Sequence, residues 1–155
     1  MFCIRTEIMI DKTQKNNGFT LDSCFLIQVQ THPEIASFYF HKGVYGSKIF
    51  INEIALNEVE HIGFDKTNVL LKMKKLFGKV IVKDVTNEER IFGQRLEHLC
   101  PILHPGDSAI LAFTKRTSTT LVTLDKNLAK SCHFFNVNCI FYQIAQKHGG
   151  SFDVF

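Results

Sequence analysis

The pattern of apolar and polar positions divides the chain into strands and helices that take turns. Residues 1–10 alternate with a β-branched character and predict a short strand, and Asn16-Asn17-Gly18 marks the turn after it. An apolar run over residues 20–27 predicts a buried strand feeding a helix. His32-Pro33-Glu34 opens a short helical stretch through Ser37, Phe38 and Phe40, which Gly43 and Gly46 close. Residues 48–52 predict a second strand. From Ala55 the period changes to that of a helix with Leu56, Val59 and Ile62 on one face. Asp65 is placed to cap an amphipathic helix carrying Val69, Leu70, Met73, Leu76 and Phe77 on one side and Lys72, Lys74 and Lys75 on the solvated side.

The second half repeats the rhythm. Residues 79–83 predict a third strand and residues 87–99 a helix. Pro105-Gly106-Asp107 starts another helix over residues 108–116, where Ile110, Leu111 and Phe113 are available for burial. Residues 120–123 predict a strand ending on Leu124-Asp125, followed by a short helix (128–135) and a last strand (139–142). The stretch from Gln143 carries no strong pattern. Alternating strands and helices predict an α/β fold with a mainly parallel sheet covered on both faces. The expected organisation is an accessory strand and turn over 1–17, one α/β domain over 18–142 and a tail over 143–155.

Composition changes this picture little. A content of 45% hydrophobic and 21% charged residues is ordinary for a globular protein, and a net charge of +3 permits a polyanionic partner without demanding one. The five cysteines, Cys3, Cys24, Cys100, Cys132 and Cys139, are odd in number and lack Cys-x-x-Cys spacing. They predict reduced, mostly buried thiols in a cytoplasmic protein rather than a disulfide framework or a zinc ribbon. The apolar N-terminus is interrupted by Arg5 and Glu7, too early for a signal sequence or a membrane span. The seven histidines show no zinc-ligand spacing.

The candidate chemistry lies in the acids. Asp22 sits in an apolar run, where a carboxylate is costly unless it caps a helix or meets a partner. Asp22 and Asp125 fall at the ends of predicted strands. Glu58 and Asp107 fall in the first turns of helices that can begin at the same edge, which is where parallel sheets place their sites. Two carboxylates about 4 Å apart repel by roughly 4 kcal/mol at an effective dielectric near 20. A divalent cation removes that penalty, and oxygen donors without His or Cys select Mg²⁺ or Mn²⁺, which suits phosphodiester cleavage. Glu53 is the reserve for the second acid; Glu60 lies about 200° round the helix from Glu58. Asp65, Asp84 and Asp153 are expected on the surface or as caps, and His104 as a loop or cap residue.

Four stretches resemble the motifs of the PIN domain family, a metal-dependent nuclease fold that includes the VapC-type toxins. They are Thr20-Leu21-Asp22-Ser23-Cys24-Phe25-Leu26-Ile27, Ile51-Asn52-Glu53-Ile54-Ala55-Leu56-Asn57-Glu58-Val59, His104-Pro105-Gly106-Asp107-Ser108-Ala109-Ile110-Leu111-Ala112 and Leu121-Val122-Thr123-Leu124-Asp125-Lys126-Asn127-Leu128. Their order and spacing cover residues 18–142. The resemblance implies a three-layer α/β/α fold and a ribonuclease in which Asp22, Glu58, Asp107 and Asp125 hold Mg²⁺ or Mn²⁺ and a metal-activated water attacks the phosphodiester. It also implies supporting hydroxyls at Ser23 and Thr123, homodimerisation, and an antitoxin protein as partner. Asn127 stands where many members carry a further acid, and Cys24 where a small polar residue is usual; Cys24 is read as packing. Lys115, Arg116, Lys126 and Lys130 follow the third and fourth acids and are candidates for RNA phosphates. Two other functions compete. One is a non-catalytic PIN-like module with a weakened metal site. The other is a phospho-acceptor domain using Asp22, which lacks the paired upstream acids and the late-strand Lys that chemistry requires.

Overall fold

The three-residue strand β2 (Phe19–Leu21) sits in the middle of the sheet and fixes where everything else goes. A computed structural model describes residues 2–32, 48–148 and 151–154. Gly18 leads into β2 with φ of +135°, and a Cβ there would lie 2.4 Å from the Lys48 carbonyl oxygen, so only glycine lets the chain pass so close to its neighbour.

The sheet also contains β1 (Phe2–Met9), β3 (Ile49–Asn52), β4 (Val80–Lys83), β5 (Thr120–Thr123), β6 (Cys139–His148) and β7 (Ser151–Val154). Its order is β1-β6-β5-β2-β3-β4, with β7 pairing β6. Strands β2 to β6 pair in parallel, while β1 and β7 run antiparallel to β6. The chain builds outward from β2 through β3 to β4, then crosses back to β5 and β6. The switch point therefore lies between β2 and β5, and a crevice opens beyond their carboxyl ends.

Helices α1 (Ser23–Thr31), α2 (Glu53–Ile62) and α3 (Lys66–Phe77) supply Phe25, Leu26, Val29, Leu56, Val59 and Met73 to one core. Helices α4 (Asn87–Leu99), α5 (Pro105–Thr117) and α6 (Lys126–Phe134) supply Leu96, Ile110, Leu111 and Leu128 to a second. The strands between them alternate as the pleat requires: Val122, Ile140 and Tyr142 join the first core, and Leu121, Cys139 and Phe141 the second. The result is the expected three-layer α/β/α arrangement. Asp65 caps α3 by accepting from the Asn68 amide, and Thr86 and Glu89 close a capping box on α4.

Two expectations are corrected. The strand predicted over residues 20–27 stops at Leu21, and Ser23 already belongs to α1. A continuous apolar run does not distinguish a buried strand from a buried helix, and the Asp22 side chain accepts from the Ser23 amide to start the helix instead. The stretch from Gln143 is also not without structure. β6 continues to His148 because β1 offers it a partner from Met9 opposite Cys139 through Phe2 opposite Gln146, and β7 pairs its last residues, Phe152 opposite Lys147 and Ser151 opposite His148. That pairing is made by backbone groups, so no hydrophobic pattern announces it. The helical stretch expected after Pro33, with the glycines closing it, lies outside the described residues.

Candidate active site

Asp22 is the N-cap of α1 and only 3% exposed. Its Oδ1 accepts from the Ser23 amide at 2.8 Å, and its Oδ2 accepts from the Thr123 hydroxyl at 2.8 Å and the Cys24 thiol at 2.9 Å. Burial raises its carboxyl above the usual range, the bonds from Cys24, Thr123 and Ser23 offset part of that rise, and the nearby Asp125 adds to it. Both readings of Asp22 thus hold together: it caps a helix and it faces other acids.

The same pattern recurs on the next strand. Asp125 is the N-cap of α6, its Oδ1 accepting from the amides of Asn127 at 2.9 Å and Leu128 at 3.2 Å. Thr123 joins the two acids, since its hydroxyl donates to Asp22 while accepting the Asp125 amide at 3.0 Å. Glu58, half-buried on α2, accepts from the Ser23 hydroxyl; burial raises its carboxyl, the Ser23 bond lowers it, and the nearby Asp22 raises it further. Asp107, in the first turn of α5, is pushed up to about 7 by burial and then by Asp22, Asp125 and Glu58 in that order. The other three acids singled out in the sequence all weigh on Asp107, so the four lie near one another on the switch-point side of the sheet.

Asp107 and Glu58 come close because Gly106 has no side chain; a Cβ there would lie 3.1 Å from Glu58 Oε1. Glu53 is not part of this cluster. It is exposed at the start of α2, and its carboxyl is raised first by a hydrogen bond with Asp84 and then by that residue's charge. Glu60 is exposed and pairs with Lys66 at 3.7 Å. His104 is the N-cap of α5 without a side-chain capping bond.

Two residues at the site escaped the sequence reading. Cys24 does more than pack: besides donating to Asp22, its sulfur accepts the Leu124 amide at 3.3 Å, tying α1 to the loop that carries Asp125. Asn52 ends β3 fully buried and caps α2 through Oδ1, while its Nδ2 has no hydrogen-bond partner. An Asn ahead of a helical period is a cap signal; Cys24 carried no signal.

As a donor set, four carboxylates suit a hard divalent cation. Among the described residues, however, no three His, Cys, Asp or Glu side chains converge closely enough to hold a metal as they stand. Mutual repulsion favours that separation, and Asp107 keeps a proton near neutral pH for the same reason.

No family model matches the chain, and no curated protein matches its sequence. Solved structures do match its fold. The VapBC2 structure from Rickettsia felis, bound to a DNA fragment from their promoter, aligns with a TM-score of 0.56 and 18% identity over 72% of this chain and 91% of that one. FitAcB from Neisseria gonorrhoeae aligns at 0.53 and 16% over 78% and 95%. FitAB bound to IR36 DNA aligns at 0.54 and 17% over 78% and 92%. The fold is PIN-like.

Within the PIN-like fold the basic candidates separate. Lys115 and Arg116 lie in the last turn of α5, about 12 Å along the axis from Asp107 at 1.5 Å per residue. Lys115 donates to the Phe135 carbonyl at 3.2 Å, and Arg116 pairs with Glu88 at 3.1 Å. Lys126 and Lys130 instead follow Asp125 on α6 and line a groove between α6 and strands β1 and β6. Asn127 is exposed beside Asp125. Cys24, Cys100, Cys132 and Cys139 are free thiols, and no helix among the described residues is long and apolar enough to cross a membrane.

Proposed function

We propose that this chain is a Mg²⁺- or Mn²⁺-dependent ribonuclease that hydrolyses RNA phosphodiester bonds, with Asp22, Glu58, Asp107 and Asp125 as the residues that hold the ion. The observation that carries this reading is the arrangement of the acids: Asp22 and Asp125 cap helices at the ends of neighbouring strands, Thr123 bonds to both, and Ser23 ties Glu58 to the first turn of α1. Acids grouped in this way favour positive charge between them, and the raised carboxyl of Asp107 agrees with that. When bound, the ion supplies Lewis acidity toward phosphate oxygens and lowers the pKa of a water.

The chain's own residues prepare for this. Asp22 is held in one orientation by Ser23, Cys24 and Thr123 and is the most buried of the four. Ser23 and Thr123 orient Glu58 and Asp22 respectively, the part that outer hydrogen bonds play around metal ligands. Asp107, its carboxyl raised to about 7, shares a proton with solvent near neutral pH, and bound positive charge would displace it. The same reading includes the toxin role of a toxin–antitoxin pair, with an antitoxin protein as partner, which the likeness in fold to VapBC2 and FitAB supports, and a homodimer in the cytoplasm, which the motif resemblance implies.

The test is cleavage of RNA with Mg²⁺ or Mn²⁺ present; undiminished cleavage in excess EDTA, or by Asp22→Asn, overturns the reading. A second reading, a non-catalytic PIN-like binding module, draws support from Asn127 and from the spread of the acids among the described residues. Calorimetric titration with Mn²⁺ separates the two, because a degenerate site binds none at millimolar concentrations.

A further inference from the structure

The sheet ends in two edge strands that are built differently. β4 is four residues long, follows Lys79 and ends on Lys83, the short and charged form that discourages further pairing. β1 lacks that protection. It runs eight residues, contains no proline, and pairs with β6 one for one from Phe2 opposite Gln146 to Met9 opposite Cys139, so no bulge turns it away. Among the described residues β6 is the strand it pairs with, and its outer edge therefore presents alternate backbone N–H and C=O groups to which no strand is added.

The sequence of this edge selects what fits it. Ile4-Arg5-Thr6-Glu7-Ile8 is its own complement when reversed about Thr6. Two antiparallel copies related by a two-fold axis at Thr6 set Arg5 opposite the partner's Glu7, Ile4 opposite the partner's Ile8 and Cys3 opposite the partner's Met9. A slip of two residues one way sets Arg5 opposite its own copy, and the other way Glu7 opposite its own copy; like charges directly opposite are destabilising. A slip of one residue exchanges the faces that the strands present. The register centred on Thr6 is thus the one in which charge meets opposite charge and apolar meets apolar.

Two observations at the edge agree with it. The Thr6 Oγ1 is buried without a hydrogen-bond partner, and in this register it lies at the axis, opposite the partner's Thr6, where one hydroxyl can donate to the other. Ile8 is 54% exposed, and the partner's Ile4 covers it.

We propose that this chain pairs with a second copy of itself through β1, antiparallel about Thr6, so that the two sheets run on as one. This rests on the homodimer included in the reading above and names the surface that makes it. β6 and β5 stand between β1 and β2, so the pairing keeps clear of the switch point where the acids lie.

The experiment is sedimentation equilibrium of the full chain over a range of concentrations, where the wild type should dimerise. Arg5→Glu and Glu7→Arg each set like charges opposite one another twice per dimer and should weaken it about 10-fold or more. Arg5→Glu combined with Glu7→Arg in one chain restores both pairs and should recover the wild-type dimer. An equimolar mixture of the two single variants should also recover it, because each is complementary to the other and not to itself. Single variants that dimerise like the wild type, or a double variant or mixture that fails to recover the dimer, overturn the pairing through β1. A dimer that ignores all these changes overturns this surface and leaves the homodimer standing, whereas a wild type that stays monomeric overturns both. Failure of the ribonuclease reading looks different: the dimer responds as stated, with no RNA cleavage when Mg²⁺ or Mn²⁺ is added.

Discussion

Ser23 donates its hydroxyl to Glu58 Oε2 at 2.5 Å, and through that bond the first turn of α1 holds a carboxylate on the middle of α2. Ser23→Ala removes the donor and leaves Glu58 free to turn toward solvent. Outer hydrogen bonds to metal ligands are worth about 10-fold or more in affinity. The expected result is an Mn²⁺ affinity about 10-fold weaker by calorimetry, with Ser23→Thr retaining most of it. Equal affinities in the Ala and Thr variants would show that the hydroxyl plays no part.

Thr123 makes two bonds with one oxygen, donating to Asp22 and accepting from the Asp125 amide. Thr123→Val keeps the shape and loses both. Asp22 is buried, so the loss of a donor to its charge costs about 2 kcal/mol. A lower urea midpoint should result, together with reduced RNA cleavage, and Thr123→Ser should restore both. A Val variant as stable as wild type would mean that Asp22 is not charged in the resting protein.

Asp107 fixes the sign of the pH dependence. Its carboxyl is raised from 3.8 to about 7 in the folded chain, so the folded state binds the proton more tightly than the unfolded one. Its contribution favours folding below about pH 4 and is lost as pH rises through 7, leaving the metal-free protein less stable at pH 8 than at pH 5. Allowing for partial exposure, the loss is about 2 kcal/mol. Asp107→Asn should flatten this part of the profile and stabilise the metal-free protein at pH 8, as read from urea unfolding across the range. Mn²⁺ should do the same for the wild type by binding the folded state alone.

Asp22, Asp107 and Asp125 stand out in the sequence because each follows a strand or opens a helix, and such positions in a parallel sheet come to one edge; Glu58, expected in the first turn of its helix, sits in the second, because α2 already begins at Glu53. What lay hidden was how they are held. Cys24 sits in an apolar run and is by type a packing residue, yet its sulfur meets both Asp22 and Leu124. The contact with Leu124 spans 100 residues of sequence and leaves no local mark. Phe25 and Leu26 read as strand for a related reason, since their helical spacing is masked by the apolar residues around them. Lys115 and Arg116 were near Asp107 along the chain, but the helix carries them to its far end.

Gly93 controls the position of Asp107 from a distance. A Cβ at Gly93 would lie 3.1 Å from both the carbonyl carbon and oxygen of Ser108, where α4 crosses the first turns of α5. Gly93→Ala gains about 1 kcal/mol of helix propensity. It also forces α5 outward against backbone that does not yield as a side chain would, and overpacking of that kind costs typically 1–3 kcal/mol. The net result should be a modest fall in the urea midpoint and a clear fall in Mn²⁺ affinity, because α5 carries Asp107. Unchanged Mn²⁺ affinity would mean that Asp107 is not a ligand.

Asn127 offers the sharpest separation between an active nuclease and a binding module. It is exposed in the first turn of α6, where its amide donates to Asp125 Oδ1. An added carboxylate here is tolerated by the fold, since negative charge at a helix N-terminus is stabilising by about 0.3–1 kcal/mol. It also lies beside Asp125, which already weighs on both Asp22 and Asp107. Asn127→Asp should therefore leave the urea midpoint equal or slightly higher in the presence of Mn²⁺, raise Mn²⁺ affinity, and increase the rate of RNA cleavage at limiting metal. If the wild type binds no Mn²⁺ and the Asp variant does, Asn127 is the residue that disables the site, and the chain acts as a binding module. If both bind and cleave, the four acids suffice and Asn127 only sets how much metal is needed.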